Sequence, residues 1–306
     1  MRRVIALAAA ALALAACARE PVGPSAPLAL EQVRPFPGLV AASARRTVLE
    51  LVQAYADAPL DGGTALAQLV TGAKLERWVY WLGVQNAQFP GRIVGRADLR
   101  HVRFDGLLPV PRAVGAQVTL GATVRFTFTP NDGEPFERAR ILDGPVRLVS
   151  LRPGDWRVVD LTRDGVPMSD GIRLFRDESR TRDGVSVRLD SLFMFTPNWQ
   201  FNLAVENRSR WPIRLDPDAT GLYLERSDGS FERIAGVPSV ALTATIPPGR
   251  GLQSLIAFPE QGSTAGRSLV LTFRRDGRAL RLAFPLEDLV SSVPPPPPTG
   301  EAPTAG

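Results

Sequence analysis

The spacing of apolar residues changes near residue 90, and this change limits what the chain can fold into. Before it, apolar side chains recur at helical spacing and predict an amphipathic helix over 39–57 that ends near Pro59. That helical stripe consists of Ala44, Val48, Leu51, Val52 and Tyr55. The same spacing on either side of Gly72 predicts two shorter helices or one broken helix. After residue 90 the period becomes two, which predicts half-buried strands.

Strands are expected through most of the remaining chain. The clearest alternation covers 118–128, and flanking strands are predicted near 92–104, 137–142, 145–151 and 155–161. From Val185 onward the pattern is strand-like almost without interruption and predicts a β-sandwich. The chain contains nine Asp-Gly pairs, a density that indicates many tight turns. One of them, Asp276-Gly277, separates two alternating runs and predicts a hairpin.

Scarce residue types exclude several kinds of chemistry. The 306 residues include one cysteine, one histidine and one lysine, so disulfide frameworks, thiolate metal clusters and multi-histidine metal sites are not expected. We therefore expect no metal and no cofactor. Basic residues exceed acidic ones by 36 to 31, but arginines alternate with acids, as in Arg138, Arg140 and Asp143. Without a basic block, nucleic acid is not an expected partner.

The first seventeen residues resemble the export signal of bacterial lipoproteins. Arg2 and Arg3 precede an apolar run over 4–14, which is shorter than the roughly 20 residues that span a bilayer. Leu14-Ala15-Ala16-Cys17 then resembles a lipobox, the site that the lipoprotein signal peptidase recognises. The resemblance implies acyl chains of the palmitate type on Cys17, and two chains suffice for stable anchoring in a bilayer. The alternative is a plain secretory peptide with an incidental cysteine.

The cellular location and the domain limits follow from this interpretation. We expect an exported protein that is lipid-anchored to the cell envelope. Where there are two membranes, Ala18 favours the periplasmic face of the outer membrane. The predicted organisation is a signal peptide over 1–16, a Pro-rich tether over 17–37, a first domain over 38–168, a second domain over 169–290 and a Pro-rich disordered tail over 291–306.

The first domain resembles the nuclear transport factor 2-like superfamily. The resemblance rests on the order of helices and then long strands, closed by a tryptophan strand that begins Gly154-Asp155-Trp156. It implies an α+β fold in which a curved antiparallel sheet wraps the first helix into a cone. Some members of that superfamily have a pocket and act as isomerases or dehydratases.

The second domain resembles an immunoglobulin-like domain of unknown function that is common in bacterial lipoproteins. The motifs are a strand over 201–206 that ends in an Asn207 turn, and a turn at Pro248-Gly249 before a strand that ends in Phe258-Pro259. The predicted fold class is therefore α+β followed by all-β. Neither motif is catalytic, because Asn207 suits a turn and Gly249 supplies positive φ.

Two groups of residues are candidates for a functional role. Tyr55, Asp98 and His101 are the catalytic candidates, as a tyrosine donor and an acidic or histidine base acting on an enolisable ligand. Asp98 and His101 are three apart on a strand, which predicts opposite faces. In the second group, Trp78, Tyr80 and Trp81 surround one helical turn and cannot all face one core. They are candidates for contact with a protein partner, or for burial within the chain.

We therefore expect a non-enzymatic, membrane-anchored binding or assembly module of the cell envelope. Its expected partners are the lipid bilayer, through acylated Cys17, and an envelope protein. The alternative is a domain that binds a small molecule, or acts as an isomerase or dehydratase, in the pocket of a cone.

Overall fold

A computed structural model describes residues 37–286, apart from 153, 177, 196–197, 227, 237–243, 260 and 262. The predicted signal peptide, the lipobox residues Leu14 to Cys17, the tether before Pro37 and the Pro-rich tail lie outside these residues. The described residues belong to a single compact unit that begins at Pro37.

Three helices precede the first sheet. They are α1 (Pro37–Asp61), α2 (Thr64–Leu69) and α3 (Ala73–Gln88), so the predicted break at Gly72 is confirmed. The apolar stripe of α1 is buried along its whole length, as its spacing predicted. The helix continues past Pro59 and ends at Asp61. The Asp61 carboxylate accepts hydrogen bonds from the backbone N–H groups of Gly63 (2.8 Å) and Ala65 (2.9 Å), which helps α2 to begin.

The first sheet is a meander of long antiparallel strands. It contains β1 (Gly91–Val110), β2 (Ala113–Pro130), β3 (Phe136–Arg152), β4 (Asp155–Arg163) and β5 (Val166–Pro167), each paired with the next. The two strands predicted over 137–142 and 145–151 are one strand, because Gly144, at φ 134°, keeps its pairing with Leu120. Helix α1 crosses β1 so closely that a Cβ added at Gly95 would lie 2.0 Å from the Ala56 carbonyl oxygen.

Two further sheets enclose a second core. A short helix, α4 (Met168–Gly171), leads into ten strands among the described residues: β6 (Ile172–Leu174), β7 (Ser179–Arg182), β8 (Val185–Phe195), β9 (Asn198–Asn207), β10 (Arg214–Leu215), β11 (Gly221–Glu225), β12 (Phe231–Gly236), β13 (Arg250–Pro259), β14 (Arg267–Arg275) and β15 (Arg278–Pro285). One sheet has the order β13-β9-β8-β6 with β7 also on β8, and the other has the order β10-β14-β11-β12 with β15 also on β14. Phe201 on β9 and Phe258 on β13 belong to the same buried cluster as Phe273 on β14 and Phe284 on β15.

Asp-Gly turns connect several of these strands. In Asp164-Gly165, Asp183-Gly184 and Asp276-Gly277 both residues have positive φ, between 47° and 80°. That conformation matches the twist of the strands on either side, and aspartate followed by glycine adopts it readily. The predicted hairpin between β14 and β15 is confirmed.

The predicted fold class is wrong. Of the described residues, 58% lie in strands and 22% in four helices, so the structure is mostly β rather than the expected α+β cone followed by a sandwich. The strands of the first sheet are longer than their alternation indicated, because β1 shifts register at Leu99/His101 and at Phe104/Gly106. Each bulge interrupts the period of two, so the sequence pattern reveals only part of the strand. The β-rich fold does fit the β-sandwich expected after Val185.

Helix α3 and the end of strand β8 connect the first sheet to the β13-β9-β8-β6 sheet, of which β8 is a member. Phe193 and Phe195 at the end of β8 belong to the same buried cluster as the helices, whereas Val185 at its start belongs to the second core. The Asp190 carboxylate on β8 accepts a hydrogen bond from Trp81 Nε1 and pairs with Arg77 at 2.9 Å. These two contacts hold α3 against β8.

Candidate functional site

A cavity of about 460 Å³ lies where α1, α3 and the first sheet meet strands β8, β9 and β13. We call it the central cavity. Aromatic side chains form much of its wall: Tyr55, Trp78, Phe126, Phe128, Phe193 and Phe195. Its polar lining consists of arginines and side-chain amides. Pockets that hold small molecules share this combination of an apolar wall and a few polar groups.

The aromatic wall is held by contacts between rings. Tyr55 on α1 packs its ring at 5.1 Å from Trp78 and at 5.3 Å from Phe126, both edge to face. Phe128 stacks on Phe136 with centroids 4.9 Å apart and planes 4° from parallel. These rings come from α1, α3, β2 and β3. The shape of the cavity wall therefore depends on the packing of helices and strands rather than on a loop.

Three arginines line the central cavity. Arg138 and Arg140 are two residues apart on β3 and therefore lie on the same face of the sheet. Their cross-strand neighbours on β2 are Phe126 and Val124. Arg163 comes from the end of β4. No aspartate or glutamate occurs among the described residues that line the cavity. Its lining therefore carries a concentrated positive charge next to aromatic rings.

The three guanidinium groups have different surroundings. Arg163 pairs with Asp164 at 3.2 Å and lies over the Phe195 ring at 4.6 Å. Arg138 lies over Phe128 at 5.6 Å and over Phe136 at 5.3 Å. Such cation–π contacts orient a guanidinium group without neutralising it.

Arg140 has the least compensated charge of the three. Within the described residues it forms no ion pair, and its side chain donates only a long hydrogen bond of 3.5 Å to the Ala139 carbonyl oxygen. Burial lowers the pKa of Arg140 and the nearby positive charge of Arg163 lowers it further, and together they outweigh the opposing influence of Tyr55 and Asp164. Both effects mean that the charged guanidinium is less stable here than in water.

Side-chain amides complete the polar lining. Gln85 and Asn86 come from the last turn of α3, and Asn198 and Gln200 come from β9. Gln200 donates to Asn202 at 2.7 Å. The Asn86 Nδ2 atom is buried and has no hydrogen-bond partner among the described residues. A buried amide donor without a partner is costly unless another group accepts from it.

Of the catalytic candidates, Tyr55 alone lines the central cavity. Asp98 is exposed on β1, where its carboxylate lies 3.5 Å from Arg96 and 3.3 Å from Arg125. His101 is also exposed on β1 and packs its ring over Gly121. The structure therefore does not bring Tyr55, Asp98 and His101 together.

The bulge in β1 reverses one expectation about these residues. Asp98 pairs with Thr123 and His101 pairs with Gly121, and these partners are two residues apart on β2. Asp98 and His101 consequently lie on the same face of the sheet, not on opposite faces as their spacing predicted. Because the alternate residues Leu120, Ala122 and Val124 are buried, that shared face is the one turned away from the core.

The aromatic candidates on α3 divide into buried and exposed side chains. Trp78 is 3% exposed and lines the cavity, and Trp81 is 1% exposed and donates to Asp190. Tyr80 is 44% exposed, and its hydroxyl donates to Gln253 Oε1 on β13 at 2.7 Å. Of these three, Tyr80 is the residue with surface available to a partner.

The arginines are the functional residues that the sequence did not single out. In the sequence, Arg138 and Arg140 alternate with acids and belong to no basic block, so nothing marked them as candidates. Their spacing of two residues on a strand that begins with Phe136 indicated a shared face. It did not reveal that β8, β9 and β13 would close over that face.

The described residues offer no group of three or more histidine, cysteine, aspartate or glutamate side chains arranged to hold a metal ion. The candidates for lipidation and signal-peptidase recognition, Cys17 and Leu14 to Ala16, lie outside the described residues. None of the described helices has the length and apolar character needed to cross a membrane.

Comparisons with known proteins give little. No family model matches the chain, and no curated protein matches it. Among solved structures, the chain is similar to the crystal structure of the intermembrane space region of the chloroplast protein ARC6. The match has 13% identity and a TM-score of 0.29, and it covers 40% of this chain and 95% of that one. A likeness of this size supports no inference about fold or function.

Proposed function

We propose that this protein is a lipid-anchored lipoprotein of the cell envelope that binds a small molecule in the central cavity without transforming it. The cavity is the observation that supports binding. Its volume of about 460 Å³ falls within the range of pockets that hold small molecules, and its wall combines aromatic rings with arginine and amide side chains.

The positions of the polar residues favour binding over catalysis. A base that removes a proton from a substrate must lie within hydrogen-bond reach of it, directly or through one water. Asp98 and His101 face away from the core, whereas Tyr55 packs against the cavity rings. The groups that do face the cavity, arginines and amides, are suited to holding and orienting a ligand.

The proposed location in the cell envelope rests on the sequence of residues 1–17. The lipobox-like Leu14-Ala15-Ala16-Cys17 places the chain's one cysteine where acylation requires it. Two acyl chains on Cys17 would anchor the protein stably. With Ala18 next to the cysteine, we propose the periplasmic face of the outer membrane where the cell has two membranes. The resemblance of the second domain to an immunoglobulin-like domain of bacterial lipoproteins supports the same location.

Native mass spectrometry tests the binding proposal. The full chain, with Cys17→Ser to leave it without acyl chains, is purified from its own envelope and sprayed intact. We expect a bound small molecule that is lost when Ala257→Trp fills the cavity that Ala257 lines. The matched control is Ala279→Trp, at an exposed position on β15, which should retain the ligand. Retention of the same ligand by both variants would contradict binding in the cavity.

Cell fractionation tests separately whether Cys17 anchors the protein to a membrane. Wild-type protein should sediment with membranes and carry the mass of the acyl chains, whereas the Cys17→Ser variant should be in the soluble fraction. A Cys17→Ser variant that stays bound to membranes with unchanged mobility would show that Cys17 is not the anchor.

A further inference from the structure

We infer that the ligand of the central cavity is an organic anion with an aromatic or other apolar body, and that Arg140, together with Arg138 and Arg163, binds its charged group. This inference rests on the proposed binding function and names the class of ligand. It follows from three cationic side chains and a wall of aromatic rings that line one cavity.

The charge of the cavity is the first step. Asp164 offsets the charge of Arg163, and the rings of Phe128 and Phe136 hold Arg138 in place. Arg140 forms no ion pair with the described residues and its one hydrogen bond among them goes to the neighbouring Ala139 carbonyl, so the more distant Tyr55 and Asp164 offset its charge only in part. Guanidinium groups bind carboxylate, phosphate and sulfonate groups through paired hydrogen bonds. An anion in the cavity would give Arg140 the partner that the described residues do not supply.

Solvation is the second step. Burial and the repulsion from Arg163 both lower the pKa of Arg140, so keeping its guanidinium group charged costs free energy. A bound anion reverses both effects, since it supplies an opposite charge and replaces the hydrogen bonds to water. The same anion, or a polar atom attached to it, can accept from the unpartnered Asn86 Nδ2.

The apolar wall is the third step. Trp78, Phe126 and Phe193 lie on the same cavity as the arginines, so a ligand that reaches Arg140 also contacts rings. A small inorganic anion would leave these rings exposed to water, whereas an aromatic or aliphatic body would cover them. The volume of about 460 Å³ is near the lower end of the range for small-molecule pockets, so the ligand is one small molecule and not a whole diacyl lipid.

Two dyes that differ in a single charged group test this inference. The probes are 1-anilinonaphthalene-8-sulfonate and its uncharged counterpart N-phenyl-1-naphthylamine, and both fluoresce more strongly in an apolar site. The protein is the full chain with Cys17→Ser, freed of bound molecules by extensive dialysis. We expect the sulfonate to bind about tenfold more tightly than the amine, as a charge-assisted hydrogen bond would provide. Its affinity should fall as salt is added.

Arginine variants locate the effect. Arg140→Gln should weaken sulfonate binding about tenfold and leave the binding of the uncharged amine within about twofold. The matched control is Arg147→Gln, which removes the same charge from an exposed position on the same strand, β3. It should change neither affinity. Unchanged melting temperatures establish that both variants are folded, and the salt dependence of the parent protein supplies a test that needs no variant.

The possible results separate this inference from the proposed function. If both dyes bind equally, Arg140→Gln affects neither and Ala257→Trp abolishes both, the cavity binds small molecules but the anionic class is wrong. If Ala257→Trp leaves both dyes bound, they do not occupy the cavity, and the assignment of the anion to Arg140 fails. The native mass spectrometry experiment tests the proposed function independently, because it asks whether Ala257→Trp loses the small molecule that copurifies with the protein.

Discussion

Asp190 offers a direct test of how helix α3 is joined to strand β8. Its carboxylate is 7% exposed, accepts from Trp81 Nε1 and pairs with Arg77 at 2.9 Å. Replacement with alanine leaves the indole N–H, on a side chain that is 1% exposed, without its acceptor. An unsatisfied buried donor costs about 1–3 kcal/mol. The lost ion pair adds at most about 1 kcal/mol, because Arg77 is 43% exposed and well screened.

Three variants separate these two contributions. We expect Asp190→Ala to lower the free energy of unfolding by about 3 kcal/mol. Asp190→Asn keeps an oxygen that accepts from Trp81 and should cost about 1 kcal/mol. Arg77→Gln removes only the ion pair and should cost no more than about 1 kcal/mol.

Urea unfolding followed by far-ultraviolet circular dichroism measures these differences without depending on tryptophan emission. The slope of free energy against urea should be the same for all variants, so that shifts in midpoint report stability. Equal losses in Asp190→Ala and Asp190→Asn would refute the role of the indole hydrogen bond. An Arg77→Gln loss as large as that of Asp190→Ala would show that the ion pair dominates.

Three further predictions follow from single contacts. Gly95→Val should destabilise the protein by about 3 kcal/mol in thermal unfolding, because its Cβ would lie 2.0 Å from the Ala56 carbonyl oxygen. A smaller loss than that of Gly38→Val, at an exposed position where an added Cβ has nothing within 4 Å, would contradict the close approach. Asn207→Ala should cost about 2–3 kcal/mol in urea unfolding, since the buried amide donates to the Trp211 and Ile246 carbonyls and accepts from the Ser209 backbone N–H. An unchanged free energy of unfolding would refute the stabilising role of these hydrogen bonds. Burial would raise the pKa of Asp105, but side-chain hydrogen bonds, led by the one from Thr119, outweigh it and hold the pKa below the usual value of an aspartate. The stability that this carboxylate contributes is therefore fully present above its pKa in the unfolded chain. It is lost as the pH falls through the lower pKa of the folded protein. In a carbon-13 titration, Thr119→Val should raise that pKa, and an unchanged value would contradict the assignment.

Local features of the fold were predictable where one element determined the pattern. The stripe on α1 was identified because its residues face a single core, so the helical period is unbroken from Ala44 to Tyr55. The hairpin at Asp276-Gly277 was identified because positive φ at both turn residues restricts the choice of side chains. The lengths of the strands were not predictable, because the bulges in β1 and the continuous pairing at Gly144 depend on neighbouring strands.

The candidate site was only partly predictable for a related reason. Tyr55 belongs to an apolar stripe and was identified with it, and Trp78 follows the same rule on α3. Arg138 and Arg140 were missed because an arginine on a strand has the same local pattern whether its face meets solvent or another sheet. Only the packing of β8, β9 and β13 makes that face the wall of a cavity.

The most direct test of the central cavity as a binding site is a crystal structure of the full chain, with Cys17→Ser, purified from its own envelope without added ligand. We expect electron density for one small molecule in the cavity, with an anionic group on the Arg140 guanidinium and its apolar body against Trp78 and Phe126. A cavity filled by repacked side chains, or occupied by ordered water alone, would contradict the proposed function.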